Sequence, residues 1–327
     1  MSEHVILFGG PRERLKLAKK ILVDVNFELI IFDDFLSSNG DTDDVIAVWT
    51  ELSPKIDAEL LRKFKHLKFV FSSTTGISHI DVDLIHSRGL KLKYLRDLPN
   101  VLDEITSTAE LTWCLVLAVW RNLIRNALFS AETSIISQRE QFPTFQLSRR
   151  NLGIIGFGRI GKRVSEYGRS FGMRVFSYDP YLKSAEIASQ GVIPVAELKD
   201  LLQVCDVVIL SATQLLGAKP ILDRAEIEYF KHGSILINTA RGGLWNESAI
   251  AQALISGRIQ GVGVDVYEFE EISNSAPAKS PLLEIETSKY NIIRTPHLGG
   301  ASVDALELVT IEMAKEISRV LNASQDD

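Results

Sequence analysis

The sequence predicts an α/β protein built as two doubly wound parallel-sheet domains, and three observations point there. Short apolar runs alternate with amphipathic helical stretches along most of the chain. The alternation restarts near Asn151 after a long interruption. The 327 residues are too many for one compact core and suit two. Strands covered by helices on both faces read as unbroken apolar runs, and strands joined through helices pair in parallel.

In the first half, HVILFG, FELIIFD, VIAVWT, LKFVFSS and LKLKYL read as strands, separated by helical patterns such as ERLKLAKKILVDV and AELLRKFKHL. This unit closes near Leu98-Pro99-Asn100. A long helix is expected from about Asp103 to Phe129. It is apolar on more than one face and carries Trp113 and Trp120, so it reads as a buried brace between domains. Gln138 to Arg150 is polar and reads as a surface connection. From Asn151 the strands are NLGIIGFG, MRVFSYD, DVVILSA, SILINTA, QGVGVDVY and YNIIRTP, with helices between them at Ile160 to Phe171 and Glu247 to Ser256. Glu271 to Ser280 reads as a loop. A last helix, Ser302 to Leu321, runs into the solvated tail SQDD.

Bulk composition excludes several function classes. The net charge of -6 offers no broad attraction for nucleic acid or an anionic membrane. The longest apolar run, Leu111 to Trp120, is far short of a membrane span. The two cysteines, Cys114 and Cys205, lie in apolar runs and are expected to be buried thiols, with no disulfide framework and no metal-ligand spacing. MSEHVILFGG lacks the pattern of a signal peptide, so a cytoplasmic protein is expected.

The strongest local signal is Gly156-Phe157-Gly158-Arg159-Ile160-Gly161, entered from an apolar strand and followed by a helical pattern. Each glycine has a task in a dinucleotide turn: Gly156 for the tight turn, Gly158 for close approach of a pyrophosphate, Gly161 for helix–strand packing. The helix N-terminus offers N–H groups to phosphates. Asp179, ending the next strand, can accept from ribose hydroxyls and would repel a 2′-phosphate, which favours NAD over NADP.

Three further segments each end a strand of the second unit: ILINTARGG with Arg241, GVGVDVYEFE with Asp265 and Glu270, and IIRTPHLGG with His297. All should face the carboxyl edge, where open α/β sheets bind ligands. The set suits hydride transfer to a 2-oxo acid. Arginine holds a carboxylate through its planar fork. Histidine titrates near neutrality and can move the proton at the substrate oxygen. A carboxylate beside it fixes the ring and favours its charged form.

With these motifs together, the chain resembles the D-isomer-specific 2-hydroxyacid dehydrogenases. The likeness runs from about Val45 to Leu321 and rests on GFGRIG with YDP, INTARGG, GVDVYEFE and TPHLGG. It implies a Rossmann NAD domain at 102–298. It also implies a flavodoxin-like substrate domain at 1–101, completed by the C-terminal helix of 299–327. Arg241 would bind substrate, Glu270 would partner the histidine, and His297 would be the acid/base. NAD contacts are implied for Arg159, Ile160, Asp179, the Thr239-Ala240-Arg241 backbone, and Asp265 near the nicotinamide carboxamide. Thr74-Thr75-Gly76-Ile77 would form the substrate loop, with Thr75, Gly76 and Ile77 at the substrate and Thr75 near the nicotinamide. His79 reads as structural, and Asp81 as the cap of a helix starting near Val82. A homodimer through the NAD domain is implied, at the long helix and the stretch up to Arg150.

The sequence departs from the family pattern in two places. Glu271 stands where proline usually follows the glutamate, and Ser211-Ala212-Thr213 stands where His-x-Pro is frequent. Two other functions fit the same residues. One is oxidation of an unusual donor such as phosphite. The other is an NAD(H)-sensing binding protein of the corepressor kind.

Overall fold

The computed structural model describes residues 4–24, 27–38, 40–127, 144–215, 217–268, 270 and 279–323. Four expected features fall wholly or partly outside these residues: the end of the long helix at Phe129, much of the Gln138 to Arg150 connection, the loop beginning at Glu271, and the SQDD tail. The described residues form two compact units. One takes those up to Ile105 and from Ser302 onward, the other those from Thr106 to Ala301.

The first unit is a five-stranded parallel sheet with β1 (Val5–Phe8), β2 (Glu28–Ile31), β3 (Val45–Thr50), β4 (Phe69–Ser72) and β5 (Lys91–Tyr94) in the order β2-β1-β3-β4-β5. Strand β3 is buried along its whole length. Its residues divide between two cores: Val45 and Val48 join one, Ile46, Ala47 and Trp49 the other. The last helix, Val303–Ala323, completes the second of these cores with Met313, Ala314, Ile317 and Leu321.

The second unit is a seven-stranded parallel sheet. Its strands are β6 (Asn151–Ile155), β7 (Arg174–Tyr178), β8 (Ile193–Pro194), β9 (Val207–Leu210), β10 (Ile235–Asn238), β11 (Gly261–Val264) and β12 (Ile292–Arg294). They lie in the order β12-β11-β10-β9-β6-β7-β8. The period of two explains the unbroken apolar runs. In β9, Val207 and Ile209 face one core while Val208 and Leu210 face the other. Strand order reverses between β6 and β9, so the ligand-binding crevice of such a sheet lies at their carboxyl ends.

The structure corrects three local expectations. The long helix is three pieces, Pro99–Glu104, Ser107–Trp120 and Leu123–Asn126. Ile105 is extended and Asn122 is left-handed at φ 49°, and both break helical geometry. Val101 of the first piece and Ile105 just after it pack against Ala305 and Val309, within the unit that takes the residues up to Ile105. Cys205 is buried, but Cys114 is exposed on the outer stripe of its helix with Leu117. Strand β8 was not anticipated: it is two residues long, carries Pro194, and survives because it sits at a sheet edge.

Candidate active site

The turn after β6 gives its three glycines three different reasons. Gly156 has φ +92°, and a Cβ on it would meet the Ala212 backbone at 2.6 Å. A Cβ on Gly161 would lie 2.4 Å from the Gly156 carbonyl oxygen, so only glycine lets the helix Arg159–Ser170 start this close to the strand. Gly158 is exposed, and a Cβ there would meet nothing within 4 Å. The protein itself therefore does not demand glycine at 158, whereas a pyrophosphate lying across the helix N-terminus does. Arg159 and Ile160 form the first residues of that helix and are half-buried. Asp179 braces the turn from the end of β7: its Oδ2 accepts from Phe157 N–H at 2.8 Å and its Oδ1 from Tyr181 N–H at 3.0 Å. Each oxygen keeps a lone pair for a ribose hydroxyl.

Arg241, Glu270 and His297 follow the neighbouring strands β10, β11 and β12, whose parallel course brings the three loops to one edge. The His297 Nδ1 lies 2.6 Å from Glu270 Oε2. An ionised carboxylate only accepts, so Nδ1 carries the proton and Nε2 is left for chemistry. Glu270 Oε1 accepts from Tyr267 N–H at 2.7 Å, which fixes the second oxygen. The Tyr267 hydroxyl donates to the Thr295 carbonyl at 3.2 Å, and burial pushes its pKa up to about 12, so it is no acid near neutrality.

His297 is one of the non-glycine residues with positive φ, at 54°. Asp265 holds that unusual turn. Its carbonyl accepts from His297 N–H at 2.9 Å, and its carboxylate accepts from Leu298 N–H and Gly299 N–H at 2.8 Å each and from the Thr295 hydroxyl at 2.5 Å. Asp265 is fully buried, so the carboxylate expected at the nicotinamide faces the histidine loop in this structure.

Arg241 is half-buried, with Nη1 donating to the Ala240 carbonyl at 2.6 Å. Asn238 ties the loop from both sides: Nδ2 donates to the Arg241 carbonyl at 3.0 Å and Oδ1 accepts from Ala240 N–H at 3.0 Å. Thr112 gives its one hydroxyl proton to the Thr108 carbonyl, so Thr239, 2.6 Å away, must donate to Thr112. The Thr239 side chain thus points into the helix Ser107–Trp120, which leaves its backbone for any cofactor contact. Gly242 joins the arginine and glutamate loops. A Cβ there would lie 1.9 Å from the Tyr267 carbonyl carbon and 2.3 Å from Glu268 N.

In the first unit, Thr75, Gly76 and Ile77 follow β4 in a half-buried turn. Trp49 Nε1 donates to Ser73 Oγ at 2.7 Å, and Thr74 Oγ1 donates to the Gly76 carbonyl at 2.7 Å. Beyond the turn, His79 is buried with no hydrogen-bond partner on either ring nitrogen among the described residues, and burial lowers its pKa to about 4. Asp81 caps the helix Val82–Ser87, accepting from Leu84 N–H at 3.0 Å.

The family model described as D-isomer specific 2-hydroxyacid dehydrogenase, NAD binding domain, matches residues 113–299. This chain belongs to that family. The glyoxylate reductase of Thermococcus kodakarensis is 32% identical over 285 residues, which cover 86% of this chain and 80% of the relative. The D-3-phosphoglycerate dehydrogenase of Methanocaldococcus jannaschii is 32% identical over 267 residues. That match covers 82% of this chain but only 48% of the relative, so the chain spans about half the length of such dehydrogenases. Among solved structures, the Aquifex aeolicus D-lactate dehydrogenase complexed with NAD and lactic acid superposes with a TM-score of 0.79 at 25% identity. It covers 99% of this chain and 97% of its own.

The second unit of this 2-hydroxyacid dehydrogenase family member is an NAD-binding domain, and NAD is its cofactor. The residues present fit that group: an open Gly158 cradle at a helix N-terminus and an acceptor, Asp179, beside the turn. Sequence reading gave no role to Asn238 or Gly242, although both lie within the motif INTARGG.

Proposed function

We propose that this protein is an NAD-dependent D-2-hydroxyacid dehydrogenase that works as a reductase of a small 2-oxo acid. The observation that carries the reading is the His297 Nδ1–Glu270 Oε2 contact of 2.6 Å, on the same sheet edge as Arg241. When bound, NAD(H) would supply or accept the hydride at carbon 2. Arg241 grips the substrate carboxylate through two guanidinium N–H groups. His297 donates from Nε2 to the oxygen on carbon 2 during reduction and takes the proton back during oxidation. Glu270 holds the ring and balances its charge when it is protonated.

The first unit serves as the substrate domain in this reading. Backbone N–H groups of the Thr75-Gly76-Ile77 turn receive a carboxylate there, a task suited to a turn braced by Ser73 and Thr74. Asp265 keeps the histidine loop in place and would lie near the nicotinamide carboxamide of bound NAD. A homodimer through the second unit is supported by the exposed apolar side chains Leu117, Leu123, Ile124 and Phe145, and sedimentation equilibrium tests it.

The function is tested by NADH oxidation with glyoxylate, hydroxypyruvate, pyruvate, phenylpyruvate and 2-oxoglutarate. Turnover of at least one of these, lost in His297→Ala by on the order of a hundredfold or more, is the expected result. NAD reduction by phosphite, or tight NADH binding without turnover of any 2-oxo acid, overturns it.

A further inference from the structure

The glutamate loop needs something to hold it, because Glu270 orients His297 from a stretch whose described residues, 265–268 and 270, lie in no helix or strand. The helix Glu247–Ile255 supplies it. Glu247 is its first residue, directly after the N-cap Asn246, whose side chain accepts from Ala249 N–H. A carboxylate at that position ordinarily sits in water, where the helix N-terminus gains a little from its charge. Here Glu247 is only 1% exposed. Its Oε1 accepts from Glu268 N–H at 2.8 Å, two residues before Glu270. Its Oε2 is buried with no hydrogen-bond partner among the described residues. Glu247 thus holds the chain at Glu268, on the N-terminal side of Glu270.

On its other side the Tyr267–Glu268 peptide lies against Gly242, beside Arg241. The peptide is therefore gripped between a glycine backbone and a buried acceptor. Burial pushes the Glu247 carboxyl above its ordinary range, with repulsion from Glu268 and Glu270 acting the same way. Keeping an ionised acid buried this close to two other carboxylates costs stability whatever its role.

We propose that Glu247 is a positioning residue for the reaction: by holding the Glu268 amide it sets where Glu270 stands, and through Glu270 how His297 presents Nε2. It makes no contact with substrate in this account, and the proposal rests on the His297–Glu270 reading above.

A double-mutant cycle on the full chain tests it, with kcat and KM for 2-oxo acid reduction, the NADH Kd and the melting temperature measured for each variant. Glu247→Ala removes the acceptor, and Glu247→Asp draws it back while keeping the charge and most of the volume. Glu247→Gln keeps an oxygen for Glu268 N–H. We expect Glu247→Ala and Glu247→Asp to lower kcat roughly tenfold or more with little change in NADH Kd, and Glu247→Gln to restore most of it. The solvent deuterium isotope effect on kcat should rise in the Ala and Asp variants as proton transfer slows. That ratio does not depend on how much of the enzyme is folded. In a Glu270→Gln background the Glu247→Ala change should add little, because its route to the histidine is already cut. Additive losses, an unmoved isotope effect, or a Gln variant as slow as the Asp variant overturns the proposal while leaving the Glu270 reading intact. A Glu270→Gln enzyme as fast as wild type sinks both. If Glu247→Ala fails to fold, the Asp and Gln variants decide the matter alone.

Discussion

Gly158 and Gly161 stand three residues apart and answer to different masters. A methyl group on Gly158 enters open space, while one on Gly161 enters the Gly156 carbonyl. Gly158→Ala should therefore fold with a near-normal melting temperature and bind NADH roughly tenfold more weakly or worse, about 1.4 kcal/mol or more. Gly161→Ala should lower stability by about 1–3 kcal/mol even without cofactor, as overpacked sites do. Calorimetry and NADH fluorescence titration on both variants check this pair, and equal loss of stability would remove the phosphate argument for Gly158. Arg241 offers a second contrast. Lysine keeps the charge and loses the fork, so Arg241→Lys should cut kcat/KM for 2-oxo acids on the order of a hundredfold, the scale of one charge-assisted hydrogen bond. NADH affinity should hardly change, since that separation is what assigns Arg241 to the substrate.

At the scale of elements, the segment from β4 to the helix Val82–Ser87 shows how the same local pattern serves structure instead of chemistry. His79 lies close in sequence to the Thr75-Gly76-Ile77 turn, yet it is enclosed, with its backbone carbonyl accepting from Ile56 N–H at 2.8 Å. Burial lowers its folded-state pKa to about 4 from the ordinary 6.5. The unfolded chain binds the proton first, so the stability due to a neutral His79 is whole above pH 6.5. It is lost as pH falls from there through about 4. The loss is at most about 3 kcal/mol by linkage. Urea denaturation of wild type and His79→Leu at pH 7 and pH 4.5 should show a smaller acid loss in the variant. Equal losses would mean that other groups carry the acid sensitivity.

For the whole molecule, the cofactor turn belongs to the second unit alone. NADH held at a hundred times its Kd should stabilise the protein by about 2.7 kcal/mol, visible as a higher melting temperature. Gly158→Ala should show a clearly smaller rise at the same NADH concentration, about 1.4 kcal/mol for a tenfold higher Kd. A wild-type melting temperature that ignores NADH would count against a folded dinucleotide site.

Much of this was legible in the chain itself. Eleven of the strands were readable as largely apolar runs, because helices cover both faces of each sheet and most strand residues meet a core. Arg241, Glu270 and His297 were readable as an edge constellation because each follows a strand, and parallel strands must end together. The glycine turn was readable because backbone conformation is a local property. What the tertiary structure alone decided depends on close approach between distant segments. Local pattern could not break the long helix at Ile105 and Asn122, expose Cys114, or turn Asp265 away from the surface into the histidine loop. Nor could it show that His297 adopts φ 54° under the grip of a carboxylate from the preceding strand, or that the first residue of a helix holds the Glu268 amide. A hydrogen bond between residues far apart in sequence leaves no periodicity. Only packing brings the two atoms within reach of each other.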